Sequence, residues 1–174
     1  AAARFRGDPG ARRRILDAVA PNAALGIAVG RLGAFVDGHG QGLPSDLPWA
    51  TQYTNRLATS PDFGVWRHPA QVYDALLCLA LFALVSRLPA RLPSGSRLAA
   101  FLVVYAAGRL ALGAVRLDPP FLFGLQIEQL LALVAIVFGI AYGVRPLLAR
   151  RGQPRRVATT GRASARATED SLAA

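Results

Sequence analysis

Long apolar runs alternate with short polar stretches rich in glycine and proline along the 174 residues. A helix that crosses the ~30 Å hydrocarbon layer of a bilayer takes about 20 residues. Three runs reach that length: Ala70–Leu88, Leu98–Leu117 and Phe121–Val144. A fourth, Ile15–Phe35, is interrupted by Asp17, Pro21, Asn22 and Arg31, and its alanines and glycines suit close helix packing more than lipid exposure. The pattern predicts an all-α, polytopic integral membrane protein of about four transmembrane helices. Residues 1–14 form a basic N-terminal stretch, 15–148 the membrane domain with an outer loop over 36–69, and 149–174 an arginine-rich tail. The tail has no apolar periodicity and reads as disordered.

Composition sharpens this reading. The chain is 53% hydrophobic with a mean hydropathy of +0.33, yet its formal net charge is +10. Its charged fraction of 17% lies below the roughly 25% of soluble domains, and the charges cluster at the ends of the apolar runs. All 20 of its Lys+Arg residues are arginine. The apolar content excludes a wholly disordered chain, and the single cysteine, Cys78, excludes a disulfide-stapled secreted fold. Fifteen of the 20 arginines fall before the first span, between the second and third, or after the fourth. Those regions alternate correctly to share one side, so both ends are expected to be cytoplasmic. The first run follows an arginine-rich stretch and offers no clean cleavage site, so no signal peptide is read. The chain begins on alanine, which leaves open that it is a fragment of a longer polypeptide. The tail's arginines are not interleaved with aromatic residues, so membrane lipids and not nucleic acid are the expected partner of its charge.

Five arginines remain: Arg31, Arg56, Arg67, Arg109 and Arg116. Arg109 lies mid-way along an apolar run, where a charge costs about 2.5–3.5 kcal/mol on insertion scales, so it is expected to face the bundle interior or a wet cavity. Arg116 follows seven residues later, on roughly the same helix face. Snorkelling to the interface is the plain alternative for Arg31 and Arg116. No acidic residue shares the span of Arg109, so an anion from outside the chain is expected there, a phospholipid phosphate being the commonest in that setting.

Two polar stretches stand out. Gly30–Gly42 holds Arg31, Asp37 and His39 among many glycines, and runs on to Pro48-Trp49, a headgroup-level residue type. Trp66–Asp74 opens the second span, where Pro69 suits a first helical turn and Gln71 and Asp74 share a face. Gln71, Tyr73 and Asp74 are expected to point inward. Either histidine, His39 or His68, is a candidate base, the plain alternative being an interfacial or capping role. Two distant histidines and one cysteine give no metal-ligand spacing, so no metal site is read.

These residues resemble the bacterial prolipoprotein diacylglyceryl transferase family over about Pro21–Val144, matching the C-terminal half or somewhat more of a full-length member. Gly30-Arg31-Leu32-Gly33-x-Phe35, with Gly42 and Asp46-Leu47-Pro48-Trp49 after it, is similar to the family signature. Arg67-His68-Pro69-x-Gln71-x-Tyr73-Asp74-Ala75-Leu76 matches a second motif almost position for position. Tyr105 and Arg109–Arg116 resemble its penultimate helix, and Gly124-Leu125 with Gln129-Leu130-Leu131 the start of its last. The resemblance implies transfer of the diacylglyceryl group of phosphatidylglycerol to the lipobox cysteine thiol of a prolipoprotein signal peptide. That reaction runs in the bacterial plasma (inner) membrane without a cofactor. It implies that Arg31 and Arg109 hold the phosphate, with Asp37 and Arg116 also at the substrate. Gly42 would allow close lipid approach, while Arg67, His68, Gln71 and Tyr73 order the rim where the peptide enters. His39 is the candidate to replace the family's base within the matched region.

The chain departs from the family pattern at four places. Ala34 and Asp37 stand where the family usually has asparagine, and His39 where it has glutamate. Gly113 stands where a glutamate usually follows the helix arginine by four residues. The family's His-Gly-Gly motif is not among the 174 residues. Two alternatives stay beside the enzyme: a catalytically silent homologue that binds anionic phospholipid or a membrane partner, and a small transporter or scaffold whose Arg109 meets a substrate anion.

Overall fold

The computed structural model describes residues 9–60, 62–119 and 121–151. Four helices make the fold: α1 (Pro9–Asp37), α2 (Ala70–Arg87), α3 (Ser96–Gly113) and α4 (Ile127–Arg151). All four are long and apolar enough to cross a membrane, and among the described residues there is no strand beyond isolated bridges. The all-helical, four-span architecture is therefore present.

The ends of the helices differ from the ends of the apolar runs, for local reasons. α1 already begins at Pro9 and takes Arg12–Arg14 into the helix, because proline suits a first turn and arginine is a good helix former. Arg13 lies 4.4 Å above the Tyr142 ring and donates to the Ser94 and Tyr142 carbonyls at 3.4 and 3.5 Å. It ties α1 to the far end of α4. At the other face, α3 stops at Gly113 and α4 starts only at Ile127, so the expected three-residue turn is a longer loop. Pro119 in that loop cannot donate the backbone hydrogen bond that a continued helix needs. Beyond it Leu122 and Leu125 pair across a tight turn with Phe123 and Gly124 at φ 52° and 75°. Phe121 and Phe123 stay exposed, in the manner of aromatic residues at a membrane interface. α4 extends to Arg151, into the segment expected to be disordered; the rest of that tail, and residues 1–8, lie outside the described residues.

Packing uses small residues, as helices in lipid do. Ala20, Ala24 and Ala28 are the buried stripe of α1 and, with Leu81 and Val85 of α2 and Phe101 of α3, build the core. Gly26, Gly30 and Gly33 face open space instead. A side chain at Gly108 would strike Leu77, and one at Gly139 would strike Val103, so these two glycines set how closely α3 meets α2 and α4. Asp17, which interrupts the first apolar run, caps another helix. Its carboxylate accepts from the backbone N–H groups of Gly95 at 2.6 Å and Leu98 at 3.0 Å, two orphan donors at the start of α3. The exposed sides of the helices carry Val29 and Val36 of α1 and Leu131, Val134 and Val137 of α4.

The segment between α1 and α2 folds over the end of the bundle opposite Ser94. Gly42 N–H donates to the His68 carbonyl at 2.9 Å, Leu43 N–H to Val115 at 2.8 Å, and Arg67 exchanges backbone bonds with Thr51 at 2.9 Å. Tyr53 donates its hydroxyl to the Phe35 carbonyl. Burial, then the charge of Asp37, raises its phenol above the ordinary value of 10.0, which keeps it a donor.

Candidate functional site: an arginine–carboxylate cluster under the outer loop

Asp74 lies one turn into α2, fully buried. A lone carboxylate in that position would be costly, and two guanidinium groups neutralise it. Arg31 Nε of α1 and Arg109 Nη1 of α3 both reach Asp74 Oδ2, at 2.7 and 2.6 Å. Three helices are thereby pinned at one atom. Arg109 turns its other nitrogen, Nη2, to Glu128 in the first turn of α4, so the fourth helix joins as well. Arg116, just past α3, places Nε 2.5 Å from Asp118 and 3.7 Å from Glu128. Its Nη1 is buried with no hydrogen-bond partner among the described residues.

Arg109 has no acidic residue in its own helix, as expected, yet the chain itself supplies it with two carboxylates. Both partners come from other helices, Asp74 being 35 positions away, and a reading confined to one span has no means of finding them. Arg109 does face the bundle interior, and it is buried. Neither Arg31 nor Arg116 snorkels freely, since each is held by a carboxylate.

Two clefts meet at the cluster. One, of about 380 Å³, runs between α1, α3 and α4 and is lined by Ile27, Phe101, Leu102, Tyr105 and Leu131, with Arg31, Arg109 and Glu128 at its head. The other, of about 460 Å³, opens under the outer loop and is polar, with His39, Gln41, Ser60, Arg116, Asp118 and Glu128 around it. An apolar slot ending in guanidinium groups has the chemistry to take an acyl chain and a phosphate together.

The remaining sequence candidates fall into two groups. Gln71 is fully buried and donates to the His39 carbonyl at 2.8 Å, which fixes the loop that carries His39. The His39 ring is exposed on the polar cleft. Asp37 ends α1 and its carbonyl accepts from Thr59 N–H at 2.8 Å, with its side chain exposed. Arg67 is buried in the outer loop, donating to the Gly42 carbonyl at 3.3 Å and pairing with Asp62 at 2.5 Å. His68 Nδ1 lies 3.3 Å from the Tyr73 hydroxyl, which accepts from Trp49 Nε1 at 2.7 Å. These four residues, Arg67, His68, Gln71 and Tyr73, order the loop and do not touch the cluster. At Gly42 the close approach is by the chain's own backbone. A Cβ there would lie 2.5 Å from the Val115 carbonyl oxygen and 2.6 Å from His68 Cβ, so a side chain at this position would collide with its neighbours.

Three residues of the cluster, Asp74, Asp118 and Glu128, are not among the site candidates that the sequence offers. Asp74 was visible as a polar residue sharing a face with Gln71 in an otherwise apolar helix, and that pairing was its signal. Glu128 carried a weaker one, as the lone acidic residue inside the last apolar run.

The family model described as prolipoprotein diacylglyceryl transferase matches residues 10–145, a stretch that contains every residue of the cluster. The chain belongs to this family. It is similar to three curated proteins named phosphatidylglycerol–prolipoprotein diacylglyceryl transferase. One is from Solidesulfovibrio magneticus, 40% identical over 144 residues, covering 79% of this chain and 51% of the relative. Another is from Synechococcus elongatus, 35% identical over 144 residues, covering 75% and 50%. A third is from Dehalococcoides mccartyi, 32% identical over 129 residues, covering 74% and 49%. The chain thus spans about half the length of the curated relatives it matches. No solved structure matches it.

Proposed function

We propose that this chain serves the transfer of a diacylglyceryl group from phosphatidylglycerol to the lipobox cysteine thiol of a prolipoprotein. The observation that carries the reading is the pair Arg31 and Arg109, both anchored on the buried Asp74 at the head of an apolar cleft. The reaction forms a bond between the cysteine sulfur and the glycerol carbon of the diacylglyceryl group. It breaks that carbon's bond to the phosphate oxygen, and the pair of electrons leaves with glycerol phosphate. The thiol proton departs as the thiolate forms. Charge therefore develops on the phosphate, and guanidinium groups fixed in advance in a poorly solvated site stabilise it at little reorganisation cost. Asp74 acts as the positioning carboxylate, holding both arginines at one height in the membrane. His39, exposed on the polar cleft beside Arg116, is the candidate acceptor for the thiol proton. Asp37, exposed at the end of α1, is proposed to meet the substrate at the entrance.

The site and outer loop sit at the end of the bundle opposite Arg13 and the arginine-bearing 88–95 connection. We infer a multi-pass protein of the bacterial plasma membrane with both ends cytoplasmic and the cluster toward the outer face. The pairing of Arg31, Arg109 and Arg116 with carboxylates of the chain itself favours a second reading, a silent homologue that binds anionic lipid without transferring it. A complementation experiment separates the two. The chain is expressed in cells depleted of their own transferase, alone and with the N-terminal half of a relative supplied in trans. Thioether-modified lipoprotein is the expected product. No modification in either arm, with the chain inserted in the membrane, contradicts the enzyme.

A further inference from the structure

Three cations, Arg31, Arg109 and Arg116, meet three carboxylates, Asp74, Asp118 and Glu128, in the cluster. A phosphodiester arriving at Arg109 brings a fourth negative charge. In a poorly solvated site like charges repel strongly, so one carboxylate has to give way.

The three carboxylates are not equally able to do so. Asp74 is fully buried and shared between two arginines. The Asp118 side chain is one-third exposed and holds only Arg116, whereas Glu128 is 38% exposed and lines both clefts. Glu128 is also the carboxylate that lies across Arg109 and Arg116 together, on the faces a phosphate would need. It sits in the first turn of α4, where the helix N-terminus favours negative charge and would continue to do so if the side chain swung toward the polar cleft. Local packing explains why Glu128 reaches so far. Gly113 leaves room that Gln129 fills, a Cβ there lying 2.4 Å from Gln129 Nε2, and Gln129 Oε1 in turn accepts from Gln126 N–H at 3.0 Å. The first turn of α4 is thereby drawn against the end of α3.

We propose that Glu128 is the internal counter-ion of Arg109 and Arg116, displaced by the phosphate of an incoming lipid, and that it sets the site's affinity for an anionic headgroup. The proposal rests on the reading that these arginines hold a lipid phosphate. The test titrates the full 174-residue chain in neutral detergent micelles with phosphatidylglycerol, phosphatidylcholine and inorganic phosphate, read by calorimetry. Glu128→Gln is expected to bind phosphatidylglycerol about tenfold more tightly than the parent chain, with phosphatidylcholine unchanged, and the gain is lost in the double variant with Arg109→Gln. A merely structural role would not produce a gain that depends on Arg109. Glu128→Asp, which keeps the charge on a shorter arm, is expected to bind about threefold more tightly and serves alone if Glu128→Gln does not fold. Selective phosphatidylglycerol binding by the parent chain with no gain in either variant overturns the role of Glu128 and leaves the lipid reading standing. Equal binding of both lipids by parent and variant overturns both. A gain seen with inorganic phosphate and not with the lipid also overturns the proposal.

Discussion

Asp74 is where the fold and the site depend on the same atom. It offers one oxygen to Arg31 and Arg109 from a position without solvent. Removing one partner of a buried ion pair leaves charge uncompensated, a loss of about 3–5 kcal/mol. Asp74→Ala is therefore expected to unfold markedly earlier than the parent chain in thermal melts in detergent, and to lose selective binding of anionic lipid. The reverse change of sign is expected at Glu128, where the partner is partly exposed and the gain appears in affinity. At Gly42 the constraint is steric. Gly42→Ala drives a methyl group into the Val115 carbonyl oxygen, and overpacking of that kind costs about 1–3 kcal/mol. A lower melting temperature, with lipid selectivity retained in the folded fraction, checks it. Residue identity made Arg109 and Arg31 visible in the sequence, because charge in an apolar run is costly and invites explanation. Their partners were not visible, because the pairing of Asp74 with Arg109 is set by how α2 packs on α3, which no spacing along the chain records.

The helices show a similar division. Apolar length suffices to place four of them, since the bilayer fixes how long a spanning run must be. Where each begins and ends depends on contacts between them. Arg12–Arg14 look like a basic flank, yet they form part of α1, and Arg13 is held by Tyr142 and Ser94 from elsewhere in the chain. Phe121–Gln126 look like the start of a span, yet the turn at Phe123-Gly124, with positive φ at both residues, keeps them outside α4. Asp17 looks like a blemish in a weak span and is the cap of α3. Asp17→Ala removes two hydrogen bonds from the start of that helix. The expected loss is about 1 kcal/mol of stability, with earlier hydrogen exchange at the amides of residues 95–98 and no change in lipid selectivity.

For the whole molecule, the fold places every charged group of the cluster at one end of the bundle and the arginine-bearing turn between α2 and α3 at the other. Orientation in the membrane follows from the arginine distribution and is open to direct test. With Cys78 replaced by serine, single cysteines at Ser94 and at Thr54 are expected to react with an impermeant thiol reagent from the cytoplasmic and the outer side respectively. Labelling of both from one side contradicts the proposed topology. The net charge of +10 divides accordingly into arginines proposed to set topology and a few that meet carboxylates. Family membership was legible from four short motifs in the right order. The state of the site was not, because Gly113 reads as the loss of a carboxylate along α3, while folding brings Glu128 across from α4 to the same arginine.

The claim on which the rest depends is that Arg109 faces a lipid phosphate. The most direct measurement compares binding of phosphatidylglycerol and phosphatidylcholine to the parent chain and to Arg109→Gln in the same micelles. Selective phosphatidylglycerol binding by the parent chain is expected, weakened at least tenfold in the variant, while membrane insertion and phosphatidylcholine binding stay the same. Undiminished phosphatidylglycerol selectivity in a folded Arg109→Gln chain would contradict it.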